Sequence, residues 1–224
     1  LVLCAIADGR LADAKDELSR IDDVGEAPAT FGGGAVRVVC QAELALAAGD
    51  HADGLRLHRE GAARMRAMRL PGVALTGLEP WVLFGDAVAL SAHAHYAAGD
   101  DAAPGRALFR TCRANAIRVF GSPPPGLDYP AAGQLLFALG AWTLLRRPAS
   151  DEPVPDEPVP DEPVTDEPVP AEVALRLLAL ADRFAYNRMT PTMMWERIGP
   201  AAEEAAPGRL GEFLAEYRDR RPPD

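Results

Sequence analysis

Four histidines are the side chains best suited to catalysis or metal binding in this 224-residue sequence: His51, His58, His93 and His95. His93 and His95 lie two positions apart in a helical stretch, so they point in nearly opposite directions and do not chelate one ion together. No HExxH or CxxC pattern supplies further ligands. We therefore expect no metal site, and we interpret the histidines as surface or helix-packing residues.

Nucleophilic chemistry finds little support in the residue pattern. The cysteines Cys4, Cys40 and Cys112 are odd in number and far apart, which predicts free buried thiols rather than a disulfide framework. No G-x-S-x-G turn is present, and the glycine run at 32–34 lacks the Lys and Ser/Thr of a phosphate-binding loop. We expect no cofactor and no enzymatic activity, with an enzyme of unfamiliar fold as a weaker alternative.

One helical stretch, Leu55–Met68, is locally basic. Arg59 and Arg66 are seven residues apart and share a helix face, which suits binding to phosphates or to an acidic partner. No aromatic residues interleave for base stacking, so we expect no direct nucleic-acid contact. The candidate partner-binding arginines are Arg56, Arg59, Arg66 and Arg69, and a plain solvated helix face remains the alternative.

Met193, Met194 and Trp195 form the most adaptable apolar cluster of the sequence, close to Met189. Such clusters usually pack in a core. An exposed part of this cluster would make a docking surface, so these three residues complete the set of candidate partner-binding residues.

The net charge of −10 is concentrated in one low-complexity segment. Four tandem pentapeptides between Asp151 and Pro170 carry eight Asp and Glu residues, and the rest of the chain has 25 acidic against 23 basic residues. The acidic pI therefore indicates little about partners. Frequent prolines and paired carboxylates predict a disordered, extended segment, about 70 Å long as polyproline II. Two interpretations remain: a loop that only connects two helices, and an acidic segment that a partner recognises.

Helical signals dominate the chain and no stretch alternates with the period of a strand. The segments are rich in Ala, Leu and Arg, and they are bounded by Gly, Pro or Asp. The predicted helices are Val36–Ala48, Leu55–Met68, Trp81–Ala98, Arg106–Val119, Ala131–Leu145 and Glu172–Asn187. Thr190–Pro191 predicts the start of a further short helix, and Pro200 and Pro207 are expected to divide the remainder into short helices.

A pattern of helix, tight turn and second helix, typical of an antiparallel helix hairpin, recurs around Gly9, Gly49 and Gly99. Each glycine ends one helix where a left-handed backbone is favoured. The spacing of 40 and 50 residues is typical of helical-repeat arrays, and the arrangement resembles tetratricopeptide repeats. In that family a small residue lies where the two helices cross closely. Ala14 and Gly54 match this position, and Pro104 departs from it.

The run from Leu177 to Glu203, together with Ala206–Leu210, resembles the C-terminal helical region of actinobacterial SARP/AfsR-type transcriptional regulators. The Lys-poor composition, with Lys15 as the single lysine, suits a GC-rich genome of that kind. This resemblance implies that DNA and nucleotide binding belong to other segments of a longer polypeptide, which the absence of an initiator Met also led us to expect.

These patterns together predict an all-α, tetratricopeptide-like solenoid of antiparallel helix hairpins. Residues 1–147 form a repeat array, 148–171 a Pro/Asp/Glu linker, and 172–224 the C-terminal helices that complete the array.

We expect a cytoplasmic, non-membrane, non-catalytic sensor or interaction module of a transcriptional regulator. Its partner would be a protein, a peptide or another domain of the same polypeptide. A small-molecule-binding regulatory domain is the alternative: an enclosed pocket with convergent polar groups would favour it, whereas an open groove favours protein recognition.

Overall fold

The computed structural model describes residues 1–23, 33–69, 72, 74–98, 102–122, 128–146 and 170–218. These ranges are helical and contain no β-strand, which confirms the all-α prediction. The acidic repeats up to residue 169 and the turn at Gly99 lie outside them. The helices are α1 (Val2–Ala7), α2 (Leu11–Asp23), α3 (Gly33–Ala47), α4 (His51–Ala67), α5 (Pro80–Tyr96), α6 (Ala102–Gly121), α7 (Tyr129–Leu145), α8 (Ala171–Arg183), α9 (Trp195–Ala205) and α10 (Arg209–Arg218), with a 3₁₀ turn at Pro191–Met193 before α9.

The first two predicted glycine turns are confirmed. Gly9 has φ of 75° and Gly49 has φ of 89°, both in the left-handed region. The Gly49 amide donates to the Leu46 carbonyl at 3.1 Å, which closes the end of α3. The Asp50 carboxylate then accepts a 3.2 Å hydrogen bond from the Asp53 amide and caps α4.

The small residues predicted at helix crossings lie at close contacts. A Cβ placed on Gly54 would lie 2.5 Å from Leu46 Cδ2 and 3.1 Å from the Leu46 amide nitrogen. Only glycine therefore lets α3 and α4 approach this closely. Ala14, the matching residue of α2, is fully buried.

Helices α5 and α7 form the centre of the molecule. They pack against each other, while α4 and α6 contact α5, and α6 and α8 contact α7. In each of the two central helices 12 of 17 residues are buried. They accordingly carry apolar residues on all sides, unlike the amphipathic α8 at the flank.

The C-terminal part differs from the sequence expectation in two places. Helix α8 ends at Arg183 rather than near Asn187, because Ala185 turns the backbone with φ of 52°. Helix α9 continues through Pro200, which lies on an exposed side of the helix. The carbonyl freed by the missing Pro200 amide can there be solvated, so the proline does not break the helix. Pro207 does lie between α9 and α10.

Across the described ranges, no helix has both the length and the apolar character that crossing a bilayer requires.

Candidate interaction groove

An apolar groove of about 300 Å³ opens at one end of the helical layer. Its walls are the start of α3, the end of α4 and the first turns of α5 and α7, with a residue that follows α8. The lining side chains are Val36, Met65, Met68, Pro80, Trp81, Phe84, Asp128, Pro130, Ala131, Gln134 and Asn187. Val36 is 47% exposed although it is aliphatic. The groove is partly open to solvent, and an open shape is the feature that we expected to favour protein recognition.

Three polar side chains line this groove, and they differ in what they already bind. The Asp128 carboxylate accepts a 2.9 Å hydrogen bond from the Ala131 amide and caps α7. The Asn187 side-chain oxygen accepts a 2.8 Å bond from the Met189 amide. In contrast, Gln134 is 3% exposed and its side-chain nitrogen has no hydrogen-bond partner. A buried amide donor of this kind is costly unless something binds it.

The arginines predicted to bind partners lie on α4 and just after it, where neighbouring groups engage them. Arg56 pairs with Asp53 and Glu60, and Glu60 also pairs with Arg64 at 2.6 Å. Arg69 donates to the carbonyls of Arg66 and Met68 and so caps the end of α4. These contacts neutralise much of the charge that the sequence displays as a basic face.

Arg59 and Arg66, which share a face as predicted, point toward α5. Arg59 lies 3.0 Å from His93 Nε2, and His93 Nδ1 lies 2.8 Å from the Ala89 carbonyl oxygen. The geometry corresponds to an Nδ1–H tautomer whose Nε2 accepts from Arg59. Arg66 pairs with Asp86, whose side chain is 1% exposed. Burial raises the pKa of Asp86 to about 6, and Arg66 opposes this rise.

The Met/Trp cluster is mostly core. Met193 is fully buried, and Met194 and Trp195 are half-buried. Trp195 packs edge-on against Phe137 at 5.9 Å between ring centroids. Of the neighbouring methionines, Met189 is 52% exposed. The arginines and these residues stay candidate partner-binding residues, but the structure does not bring them together with the groove.

A second set of polar side chains gathers where α3, α4 and α5 meet the 3₁₀ turn. Glu43 accepts a 2.6 Å hydrogen bond from the Thr192 hydroxyl, and its Oε1 lies 3.4 Å from His58 Nε2. Ser91 donates to the Thr192 carbonyl at 2.8 Å. All four residues are at most 1% exposed. A substrate has no access to them in this conformation. The hydrogen bonds of the cluster instead connect α3 and α5 to the 3₁₀ turn that follows α8.

The three thiols of the described ranges differ in their burial. Cys40 and Cys112 are buried as predicted, whereas Cys4 is exposed, so the prediction of a buried thiol was wrong for this residue. Burial raises the pKa of the Cys40 thiol to about 11, and it raises that of Cys112 as well. Both thiols are therefore protonated and poorly nucleophilic near neutral pH. No three His, Cys, Asp or Glu side chains of the described chain gather as a set of metal ligands.

Sequence reasoning did not identify Gln134. It is a single polar residue in the long apolar run of α7, and that isolation is the signal that could have marked it. The groove itself combines ends of four helices that are distant in sequence, so spacing alone does not indicate it.

Comparison with family models, with curated proteins and with solved structures gives no significant match to this chain.

Proposed function

We propose that this chain is a non-catalytic protein-interaction module that binds an extended peptide segment in the groove at the ends of α3, α5 and α7. The observation that carries the proposal is Gln134, a buried amide donor without a partner in an open, apolar groove. A peptide would place an apolar side chain over the exposed Val36 and beside Trp81. Its main-chain carbonyl would reach the Gln134 amide, which is closed off in the unbound protein, after the side chains that cover this amide move aside.

The order of packing supports a tetratricopeptide-like array of hairpins as the scaffold. α1 packs on α2, α3 on α4, α5 on α6 and α7 on α8, and successive hairpins touch through α2–α3, α4–α5 and α6–α7. The groove lies at one end of these helices, where the first turns of α3, α5 and α7 meet the end of α4. Stacked hairpins with one binding face are the usual design of such arrays.

Within this proposal the chain is the C-terminal part of a cytoplasmic, multidomain transcriptional regulator of the SARP/AfsR type. The groove would sense a partner protein or another domain of the same polypeptide and would change the availability of an output domain. The upstream coding sequence tests the assignment. A DNA-binding domain and a nucleotide-binding loop there support it, and a gene that encodes neither contradicts it.

A small-molecule-binding regulatory domain is the second candidate. A volume of about 300 Å³ lies at the lower end of the range for small-molecule sites. The polar groups do not converge, however, because Asp128 and Asn187 already accept hydrogen bonds from local backbone amides. The open shape and the buried Gln134 donor favour a peptide.

The experiment pans a displayed library of random peptides on the full chain and titrates the selected peptides by fluorescence anisotropy. Val36→Glu places a charge in the groove at an exposed position, so we expect it to weaken binding about tenfold or more without unfolding the protein. Val173→Glu is the matched control, since Val173 is 42% exposed in the first turn of α8 and lies outside the groove. Equal affinities for the two variants would contradict the proposal.

A further inference from the structure

Helix α6 presents an exposed basic face. Arg106, Arg110 and Arg113 are exposed, and their spacing of four and three residues places them on one side of the helix. The opposite side, which contains Leu108 and Cys112, is buried against the core. The sequence of α6 includes no Asp or Glu, so no acid of its own can neutralise this face.

Among the described residues, nothing compensates the charge of this face, unlike that of α4. No carboxylate of the described residues forms an ion pair with Arg106, Arg110 or Arg113. The fourth arginine of the helix, Arg118, instead donates to the Thr76 carbonyl at 2.9 Å. Three guanidinium groups in a row are thus available to anions.

The same face continues as an apolar surface. Ile117 follows Arg113 by four residues and Phe120 follows Ile117 by three, which keeps them on the arginine side. Ile117 is 63% exposed and Phe120 is 37% exposed. The face therefore combines positive charge at one end with aliphatic and aromatic contact area at the other.

The charged end of α6 lies beside the place where the acidic segment leaves the folded chain. Phe109 stacks on Trp142 with centroids 6.0 Å apart, and a Cβ on Gly105 would touch the same indole. Trp142 is in the last turns of α7, which ends at Leu145 just before the acidic segment. The first turns of α6 and the exit of that segment are consequently close neighbours.

We propose that the exposed face of α6 binds the acidic repeats Asp151–Pro170 of the same chain. Each repeat offers two adjacent carboxylates followed by Pro and Val, which complements guanidinium groups followed by Ile117 and Phe120. Twenty helical residues span about 30 Å. The sequence between residues 146 and 170 reaches about 70 Å when extended, enough to run along α6 and return to α8.

Tethering makes such a contact effective even when each ion pair is weak. A segment attached beside its binding face has an effective concentration of about 1 mM, whereas exposed ion pairs alone contribute little and are screened by salt. Two of the four repeats carry four carboxylates, enough to pair with all three arginines. An acidic partner from outside would have to displace this internal ligand.

The test uses a fluorescent synthetic peptide of residues 151–170 and two versions of the 224-residue chain. One is unmodified, and in the other the eight acidic residues of the repeats are replaced by Asn and Gln, which keeps the length. We expect the peptide to bind the neutralised chain in a salt-dependent manner and to bind the unmodified chain about tenfold more weakly, because the tethered copy competes.

Replacement of Arg106, Arg110 and Arg113 by Gln in the neutralised chain should abolish peptide binding. The matched control replaces Arg10, Arg20 and Arg64, exposed arginines that already have acidic partners, and should leave it unchanged. Equal affinity for the unmodified and neutralised chains, or binding that survives loss of the α6 arginines, would overturn the proposal. So would a duplex oligonucleotide that binds the unmodified chain through these arginines as tightly as the peptide binds the neutralised chain.

Discussion

The Thr192 hydroxyl donates a 2.6 Å hydrogen bond to Glu43, a residue 149 positions earlier in the chain, and both side chains are at most 1% exposed. Ser91 holds the Thr192 carbonyl, and Tyr186 holds the neighbouring Met193 carbonyl at 3.1 Å. These bonds fix the segment after α8 to α3 and α5. The C-terminal helices are thereby anchored to the helices that carry the groove.

Thr192→Val should destabilise the protein. The substitution keeps the shape of the side chain but leaves the Glu43 carboxylate without its donor in a buried site, which costs about 1–3 kcal/mol of the free energy of unfolding. Thr192→Ser keeps the hydroxyl and is the control. Urea denaturation measures the difference, and a Val variant as stable as the Ser variant would show that the bond contributes nothing.

Gly54→Ala should lower the free energy of unfolding by about 1–3 kcal/mol. The new methyl group would overlap the Leu46 side chain, which is 3% exposed, and would lie 3.1 Å from the Leu46 amide nitrogen, which moves only with the backbone of α3. Gly211→Ala is the matched control, because nothing lies within 4 Å of a Cβ there and the position is within α10. That variant should be more stable by about 0.5–1 kcal/mol. Thermal unfolding measures the difference. Melting temperatures that shift in the same direction for both variants would contradict the close crossing of α3 and α4.

Asp86 and His95 should make opposing contributions to the pH dependence of the free energy of unfolding. Burial raises the pKa of Asp86 from 3.8 to about 6, so the native state holds an extra proton there between these values. Its contribution makes stability fall as pH rises through this window. Burial, assisted by Arg197, lowers the pKa of His95 from 6.5 to about 4, against the opposing charge of Glu43. The unfolded state then binds more protons at His95, so its contribution makes stability rise with pH.

The two contributions nearly cancel in the unmodified protein, and single variants should separate them. Asp86→Asn should show a free energy of unfolding that rises from pH 4 to pH 6.5, by up to about 3 kcal/mol. In His95→Gln the free energy of unfolding should fall as the pH rises over nearly the same range. Urea titrations at several pH values provide the test, with Glu204→Gln at an exposed position as the control. Parallel profiles for the two variants would be incompatible with these pKa shifts.

Local signals predicted the helices and their turns because each depends on a few adjacent residues. Gly9 and Gly49 adopt the left-handed backbone that their positions indicated, and Gly54 lies at a close crossing. Pro200 misled the interpretation, because a proline on a solvated side of a helix need not end it.

The candidate site was harder to predict because it depends on which helices meet. The arginines of α4 form a basic face in the sequence, but Asp53, Glu60 and Asp86 neutralise much of it in the fold. Asp86 is twenty residues from its partner Arg66 and belongs to another helix. Gln134 becomes significant only when the ends of α3, α5 and α7 are seen to enclose it.

The most direct test of a peptide-binding groove is the substitution Gln134→Leu, measured for both stability and peptide affinity. Removal of a buried donor without a partner should raise the free energy of unfolding by about 1 kcal/mol, while the affinity for groove-selected peptides falls about fivefold to tenfold. A variant that gains stability and binds those peptides as tightly as the unmodified protein would contradict the assignment of this groove to peptide recognition.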